Sequence, residues 1–214
     1  MSILMKQAVY AHQVPVVAAS SRRPGRTNRT QLKLFQAAMD IMNQLGPEAT
    51  TVEEVAARAG VSKGTVYYNF GSKQTMIDQL LLYGAKLLLA EMALVASGPD
   101  PRVALRNAIE AALLYLGDHP GFARLWVSEL WRNGPGSPGT TDLIRDDIMR
   151  FLLELVQSLG RYYRVDSSRS SQGVALAIFG SVFMMTMDEA LHGSQRSYQE
   201  AADVTMLIVD GYLK

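Results

Sequence analysis

Within the segment Ser62 to Phe70, SKGTVYYNF, the chain sets a cation, two aliphatic hydroxyls, two phenols and an amide. Val66 and Phe70 lie one helical turn apart and face inward, which leaves Lys63, Thr65, Tyr67 and Asn69 outside. A helix face of that chemistry is suited to hydrogen-bonding base edges and phosphates, and the major groove of DNA is the usual partner of the second helix in a helix-turn-helix. Ser62 is placed to cap this helix, Tyr68 completes its polar set, and Gly64 lets the backbone come close to a groove. Upstream, Thr51 caps a preceding helix and Glu54, three residues on, completes a capping box. Val52, Val55 and Ala56 form its apolar stripe. Gly60 supplies the φ > 0 needed at the sharp turn, with Val61 as the buried turn residue. Lys73, at the start of the next helix, is positioned for a phosphate.

The run AARAGVSKGTVYYNFGSK and its surroundings, roughly Arg29 to Leu80, closely resemble the DNA-binding domain of the tetracycline-repressor (TetR) family of bacterial transcription regulators. Asn69 departs from the pattern, since the family most often has His there; Asn still reaches a phosphate or an adenine edge. The resemblance implies a dimer built through the last two helices, a small effector bound among the helices of the body, and no enzymatic activity.

The reader must be carried by further helices. Leu32, Phe35, Ala38, Met42 and Leu45 recur at helical spacing, which predicts a first helix from about Asn28 to Leu45 that packs across the other two. Ser72 caps a fourth helix running to about Val95. Further helices are predicted at Arg102–Gly117, Phe122–Arg132, Asp142–Leu159, Gln172–Leu191 and Tyr198–Leu213, with no alternating strand pattern. The expected fold is all-α: a basic, disordered N-terminal arm over 1–26, a helix-turn-helix domain over 27–73, and a larger effector-binding and dimerisation body over 74–214. Arg22, Arg23 and Arg26 would lie along the DNA.

Composition supports this division. The 214 residues are 48% hydrophobic, enough for a sizeable core, and contain no cysteine, which excludes disulfides, thiolate nucleophiles and Cys-ligated zinc. A reducing cytoplasm is compatible with that usage. Residues 1–80 hold nine Lys/Arg against five Asp/Glu and the remainder twelve against fifteen, so the half that would meet phosphates carries +4 and the body −3. No run of eighteen apolar residues occurs, and no membrane span is expected.

The helix beginning near Gln172 is apolar nearly all round, so it needs cover on two sides. Gly173, Ala177, Gly180 and Ser181 form a small-residue strip, and Val204, Ile208, Gly211 and Tyr212 a similar one on the last helix; together they are expected to pair with a second copy. Phe122, Trp126 and Glu129 share a face of the sixth helix. They suggest an effector pocket with an acid to orient a cationic ligand, walled further by Tyr115, Met149 and Phe179. The alternative is ordinary core with Glu129 paired to Arg132.

Three apparent chemical motifs carry nothing. The loop GPGSPG at 134–139 matches a dinucleotide fingerprint but follows a helix rather than a strand, and its prolines lack amide donors. His12, His119 and His192 have no metal-ligand spacing, and Met184, Met185 and Met187 read as core packing. No nucleophile, base and orienter set emerges, so no catalytic residue, metal or cofactor is expected. The reading is a dimeric, effector-gated transcriptional regulator, acting as a repressor on a palindromic operator. An architectural DNA-binding protein without an effector is the alternative.

Overall fold

A computed structural model describes residues 24–132, 139–193 and 196–214, and their side chains apart from those of 24–28, 131–132 and 191. Nine α-helices are present among these residues: α1 Pro24–Leu45, α2 Val52–Ala59, α3 Lys63–Phe70, α4 Lys73–Val95, α5 Pro101–Asp118, α6 Pro120–Arg132, α7 Thr140–Leu159, α8 Ser171–His192 and α9 Tyr198–Asp210. A single 3-10 turn, Pro47–Ala49, joins α1 to α2. The all-α expectation stands, and the only extended pairing among the described residues is one bridge between Val165 and Leu213.

Prolines account for the shifted helix starts. α1, α5 and α6 each begin on a proline, at Pro24, Pro101 and Pro120, ahead of the starts expected at Asn28, Arg102 and Phe122. At the first helical position the missing N–H is one no helix could satisfy internally, and the fixed φ suits the first turn. Arg26 therefore sits in the first turn of α1 instead of in a linker, its side chain outside the described set. Arg22 and Arg23, with the rest of 1–23, lie outside the described residues. So do residues 133–138 of the GPGSPG loop and the side chain of Arg132.

Two cores divide the molecule, and two helices belong to both. Leu34, Phe35, Ala38 and Ile41 of α1, Val52, Val55 and Ala56 of α2, Val66 and Phe70 of α3, and Met76 and Leu80 of α4 form the head. Interleaved with them on a neighbouring face, Met39 and Met42 of α1 enter the core of the body, as do Leu81, Ala85, Leu88 and Met92 further along α4. α4 carries the chain from head to body, and α1 contributes side chains to both cores.

α6 packs closely on the end of α1. A Cβ on Gly121 would stand 2.3 Å from the backbone carbonyl of Met42, and the Gly121 N–H donates to Asn43 Oδ1 at 3.2 Å. On the far side of the body, Arg102 bonds Asp210 and Arg106 bonds Asp203, tying α5 to α9. Such exposed pairs set register more than they add stability.

α8 packs against α5, α7 and α9 through Val174, Ala175, Ile178 and Val182. Over Ser171–Ala190 it is long and apolar enough by composition to cross a membrane, although it contains no unbroken apolar run of that length. Its outward side holds Leu176, Ala177 and Met184, the last 63% exposed. Met184 is therefore not core packing, a correction to the expectation for the Met184–Met187 group. Periodicity could not say which arc of an all-round apolar helix its own chain would cover.

Candidate nucleic-acid interface and effector cavity

α3 is held by its caps. Ser62 Oγ accepts the Thr65 N–H at 3.2 Å and lies 2.9 Å from Thr65 Oγ1; Ser72 does the same for Thr75 at the head of α4. Thr51 Oγ1 accepts the Glu54 N–H at 3.1 Å, but the Thr51 N–H goes to the Ala49 carbonyl at 2.9 Å. The capping box is thus half made, because the 3-10 turn before α2 already satisfies the donor that Glu54 would have taken. Gly60 adopts φ 67°, ψ 37°, the left-handed conformation the turn requires, and the Val61 N–H closes it on the Ala56 carbonyl at 3.0 Å. Val61 is half-buried against the head core.

With Val66 and Phe70 buried, the remaining positions of α3 sort by the helical period rather than by alternation. Lys63 and Tyr67, four apart, share one flank; Thr65 and Asn69 share the other; Gly64 and Tyr68 form the crest between them. Tyr67 is 46% and Tyr68 66% exposed. Asn69 is half-buried and turned back on its own helix, its Nδ2 donating to the Thr65 carbonyl at 2.7 Å and its Oδ1 buried without a partner. The outward face is therefore Lys63, Gly64, Tyr67 and Tyr68. Asn69 is not on it, and the Thr65 hydroxyl is engaged at the cap. The expectation of four alternating outward residues applied a period of two to a helix.

Lys63 forms an ion pair with Glu53 of α2, and both side chains are exposed. The Lys63 ammonium holds the Glu53 carboxyl below the usual carboxylate range, and Glu53 in turn raises the Lys63 ammonium above its own. Lys73 adds to the positive field at Glu53. Glu53 was missed because nothing in its spacing from Lys63 indicates a contact across the turn. Lys73 itself is exposed at the head of α4, and Thr51 half-buried at the head of α2.

In the body, a cavity of about 30 Å³ lies among α4, α5, α6, α7 and α8. That is room for roughly one or two waters. Of the expected pocket residues, Trp126 and Phe179 line it. Phe122 sits behind Trp126, ring centroids 6.0 Å apart. Tyr115 donates its hydroxyl to the Gly84 carbonyl at 3.0 Å, and burial raises its phenol well above the ordinary range. Met149 packs against the core without reaching the wall.

Glu129 is 6% exposed, accepts from Gln74 Nε2 of α4 at 3.4 Å, and is not on the wall. It faces the junction with the head, so an acid that orients a ligand is not what the geometry provides. The other polar feature is at Trp126, 2% exposed, whose indole N–H has no hydrogen-bond partner. A buried donor left unpaired costs about 1–3 kcal/mol.

The small-residue strips divide as well. Gly173, Ala177, Val204 and Gly211 are exposed, and Gly180 and Ile208 half-buried. Nothing lies within 4 Å of a Cβ built on Gly180, and neighbouring Leu207 is 66% exposed. Ser181 and Tyr212 turn inward: Ser181 Oγ meets Thr205 Oγ1 at 3.0 Å, and the buried Tyr212 hydroxyl meets Ser171 Oγ at 3.1 Å. Among the described residues no group of three or more His, Asp and Glu could hold a metal. His119 stacks on Tyr115, and His192 pairs with Asp188 one turn back.

A three-helix head with a capped, polar second helix, borne on a helical body through two shared helices, defines a helix-turn-helix protein of the regulator type. The family model for bacterial regulatory proteins, tetR family, matches residues 34–80. The regulator RutR of Escherichia coli is 27% identical over 119 residues, 56% of this chain and 56% of that one. The repressor KstR2 of Rhodococcus jostii is 26% identical, covering 71% of this chain and 87% of its own. The solved structure of Thermus thermophilus FadR, a TetR family transcriptional repressor in complex with lauroyl-CoA, superposes with a TM-score of 0.64 at 21% identity, over 85% of this chain and 94% of that one. The chain spans about half the length of RutR, and the likeness to FadR is one of fold. Residues 34–80 thus form a domain of the tetR family of bacterial regulatory proteins.

Proposed function

We propose that the protein is a homodimeric DNA-binding regulator, a repressor acting in the cytoplasm and released from a palindromic operator by a small-molecule effector. The observation that carries this reading is the exposed face of α3, Lys63, Gly64, Tyr67 and Tyr68, on a head whose core continues through α1 and α4 into the body. Tyr67 and Lys63 would read base edges, and Lys73 and Thr51 would meet phosphates at helix N-termini, where the dipole also favours an anion. Release of Lys63 from Glu53 would accompany docking. Glu53, on the same surface, would repel phosphates wherever Lys63 is not seated, which favours one docking register over others.

A second copy is the occupant proposed for the outward side of α8 and α9. Leu176, Ala177, Met184, Val204 and Leu207 leave an apolar strip there, and Gly180 leaves room for close backbone approach. Two copies related by a two-fold axis would place their α3 helices in successive major grooves, about 34–36 Å apart. An effector that binds one separation better than the other shifts the population to it. Since α4 and α6 both line the cavity and both touch the head, either can carry the change.

The test is footprinting on DNA flanking the gene. The unmodified protein is expected to protect a palindrome, and the double variant Lys63→Ala, Tyr67→Ala to lose about 1–3 kcal/mol per base contact. Unchanged protection by the double variant would remove α3 as the reader. The alternative, a body that only dimerises, draws on the small size of the cavity. It predicts that no small molecule alters operator binding.

A further inference from the structure

Twelve residues from five helices wall the cavity, and no polar atom of backbone or side chain is turned towards its space. The Trp126 indole N–H is buried without a partner, yet it too is shut off from that space. An apolar void of this kind stays dry, because a water inside it would need two or more polar partners. Its wall forgoes the dispersion contacts that atoms across the gap would supply. The cavity therefore gains from apolar atoms and has no hydrogen bond to offer.

We infer that the cavity is a binding site for a hydrocarbon, a molecule or chain that brings no charged or hydrogen-bonding group into it. This names the ligand class of the effector site put forward above and rests on that reading. A hydroxyl, carbonyl, ammonium or carboxylate would give up its water and find no partner on the wall. A hydrocarbon gains by leaving water, and it restores the wall's missing contacts without displacing a bound water. A free hydrocarbon and the tail of an amphiphile whose head stays outside offer the same chemistry. Glu129, which suggested a cationic ligand from the sequence, meets Gln74 and is not on this wall.

The same wall shows where such a molecule makes room. Phe179 and Phe183 are the two lining residues not fully buried, and their rings are stacked 6.1 Å apart. Each also meets the Trp126 ring edge-on, at 6.1 and 6.0 Å. They share a stripe of α8 with Gly180, where nothing stands within 4 Å of an added Cβ. Turning the two rings outward enlarges the cavity without breaking a hydrogen bond. Met92, flexible and unbranched, adds a part of the wall that refits around an irregular guest.

The experiment uses the full-length protein, ¹³C-labelled at its Ile and Met methyl groups. It is titrated at neutral pH with n-pentane and with three probes of matched chain length, butan-1-ol, butylamine and butanoate. Met92, Ile109, Ile148 and Ile178 report on the wall, and the exposed Met184 on the outward side of α8. Pentane is expected to bind saturably, with nuclear Overhauser contacts to the wall methyls and none to Met184. It should bind at least tenfold more tightly than butan-1-ol, with the two ions weaker still. Ala112→Leu, which fills the void from the wall, is expected to abolish these contacts. No contact to the wall methyls, contact to Met184 alone, or an alcohol or ion bound as tightly as pentane overturns the inference. The contacts decide it even if Ala112→Leu does not fold. Dodecanoate separates the two sources: contacts from its terminal methyl to the wall assign an amphiphile's tail, their absence a free hydrocarbon, and either upholds the class. Should pentane bind as expected yet leave operator binding unchanged, the ligand class stands and effector gating falls. Should an ion occupy the cavity and release the DNA, gating stands and the ligand class falls.

Discussion

α3 and α8 each turn a face outward that no other described part of the chain covers, and the two faces differ in kind. On α3 the outward groups are polar or amphipathic, and their neighbours Ser62, Thr65 and Asn69 are engaged in hydrogen bonds to the helix itself. Water satisfies such a face, so it persists in the free protein and exchanges its solvent for a polar partner. On α8 the outward residues are Leu176, Ala177, Gly180 and Met184, which water does not satisfy. That face gains by being covered permanently. One chain thus carries a face suited to a reversible polar partner and another suited to a standing apolar one.

The largest expected effect comes from destroying the apolar face. Gly180→Arg would place a charge at the centre of the proposed dimer contact, costing about 3–5 kcal/mol of association. Sedimentation should show a monomer at concentrations where the unmodified protein is dimeric. Since nothing stands within 4 Å of the added Cβ, the subunit itself should unfold at nearly the same temperature. A dimer that survives this change would assign α8's face to some other cover, a lipid surface among them.

Next in size is the joint between head and body. Gly121→Ala forces a methyl group against the Met42 carbonyl, and separating α6 from α1 should cost about 1–3 kcal/mol in thermal or urea unfolding. Loss of stability without loss of effector response would show that α6 supports the head but does not signal to it.

Lys73→Ala tests the polar face at its edge. Binding should weaken about equally for all DNA sequences, and the slope of log K against log salt should fall by about one ion. A change in sequence preference would instead move Lys73 onto the reading surface.

The smallest effect is expected at Asn69. Replacing it by Ala removes one hydrogen bond to Thr65 and one buried, unpaired oxygen together, so folding stability should change by less than about 1 kcal/mol. Sequence preference should hardly move if the side chain stays turned away from the groove. A lost preference at a single base would mean that Asn69 swings outward on docking.

Much of the head was legible because it is built from local rules. Thr51, Gly60, Ser62 and Ser72 act within three or four residues of themselves, and each does what its type and place require. The misreadings there were also local: a period of two imposed on α3, and a capping box expected where a 3-10 turn already supplied the acceptor. The body was legible as helices and less so as a site. Trp126 and Phe179 reach the cavity, whereas Glu129, on the same stripe of α6 as Trp126, meets Gln74 fifty-five residues away. Helical spacing places residues on a stripe but does not say what the stripe faces.

The amino-acid sequence by itself determined the nine helical segments and the order of head and body, and it singled out α3 as the helix proposed to read DNA. Those follow from caps, turns and apolar periods that act over one or two turns. Only the tertiary structure decided that α1 and α4 belong to both cores, that Lys63 is held by Glu53, and that Glu129 looks to the head. It also decided that the Trp126 indole N–H is buried without a hydrogen-bond partner. Each depends on which helices come side by side, and that choice is made by the packing of the whole chain rather than by neighbouring residues.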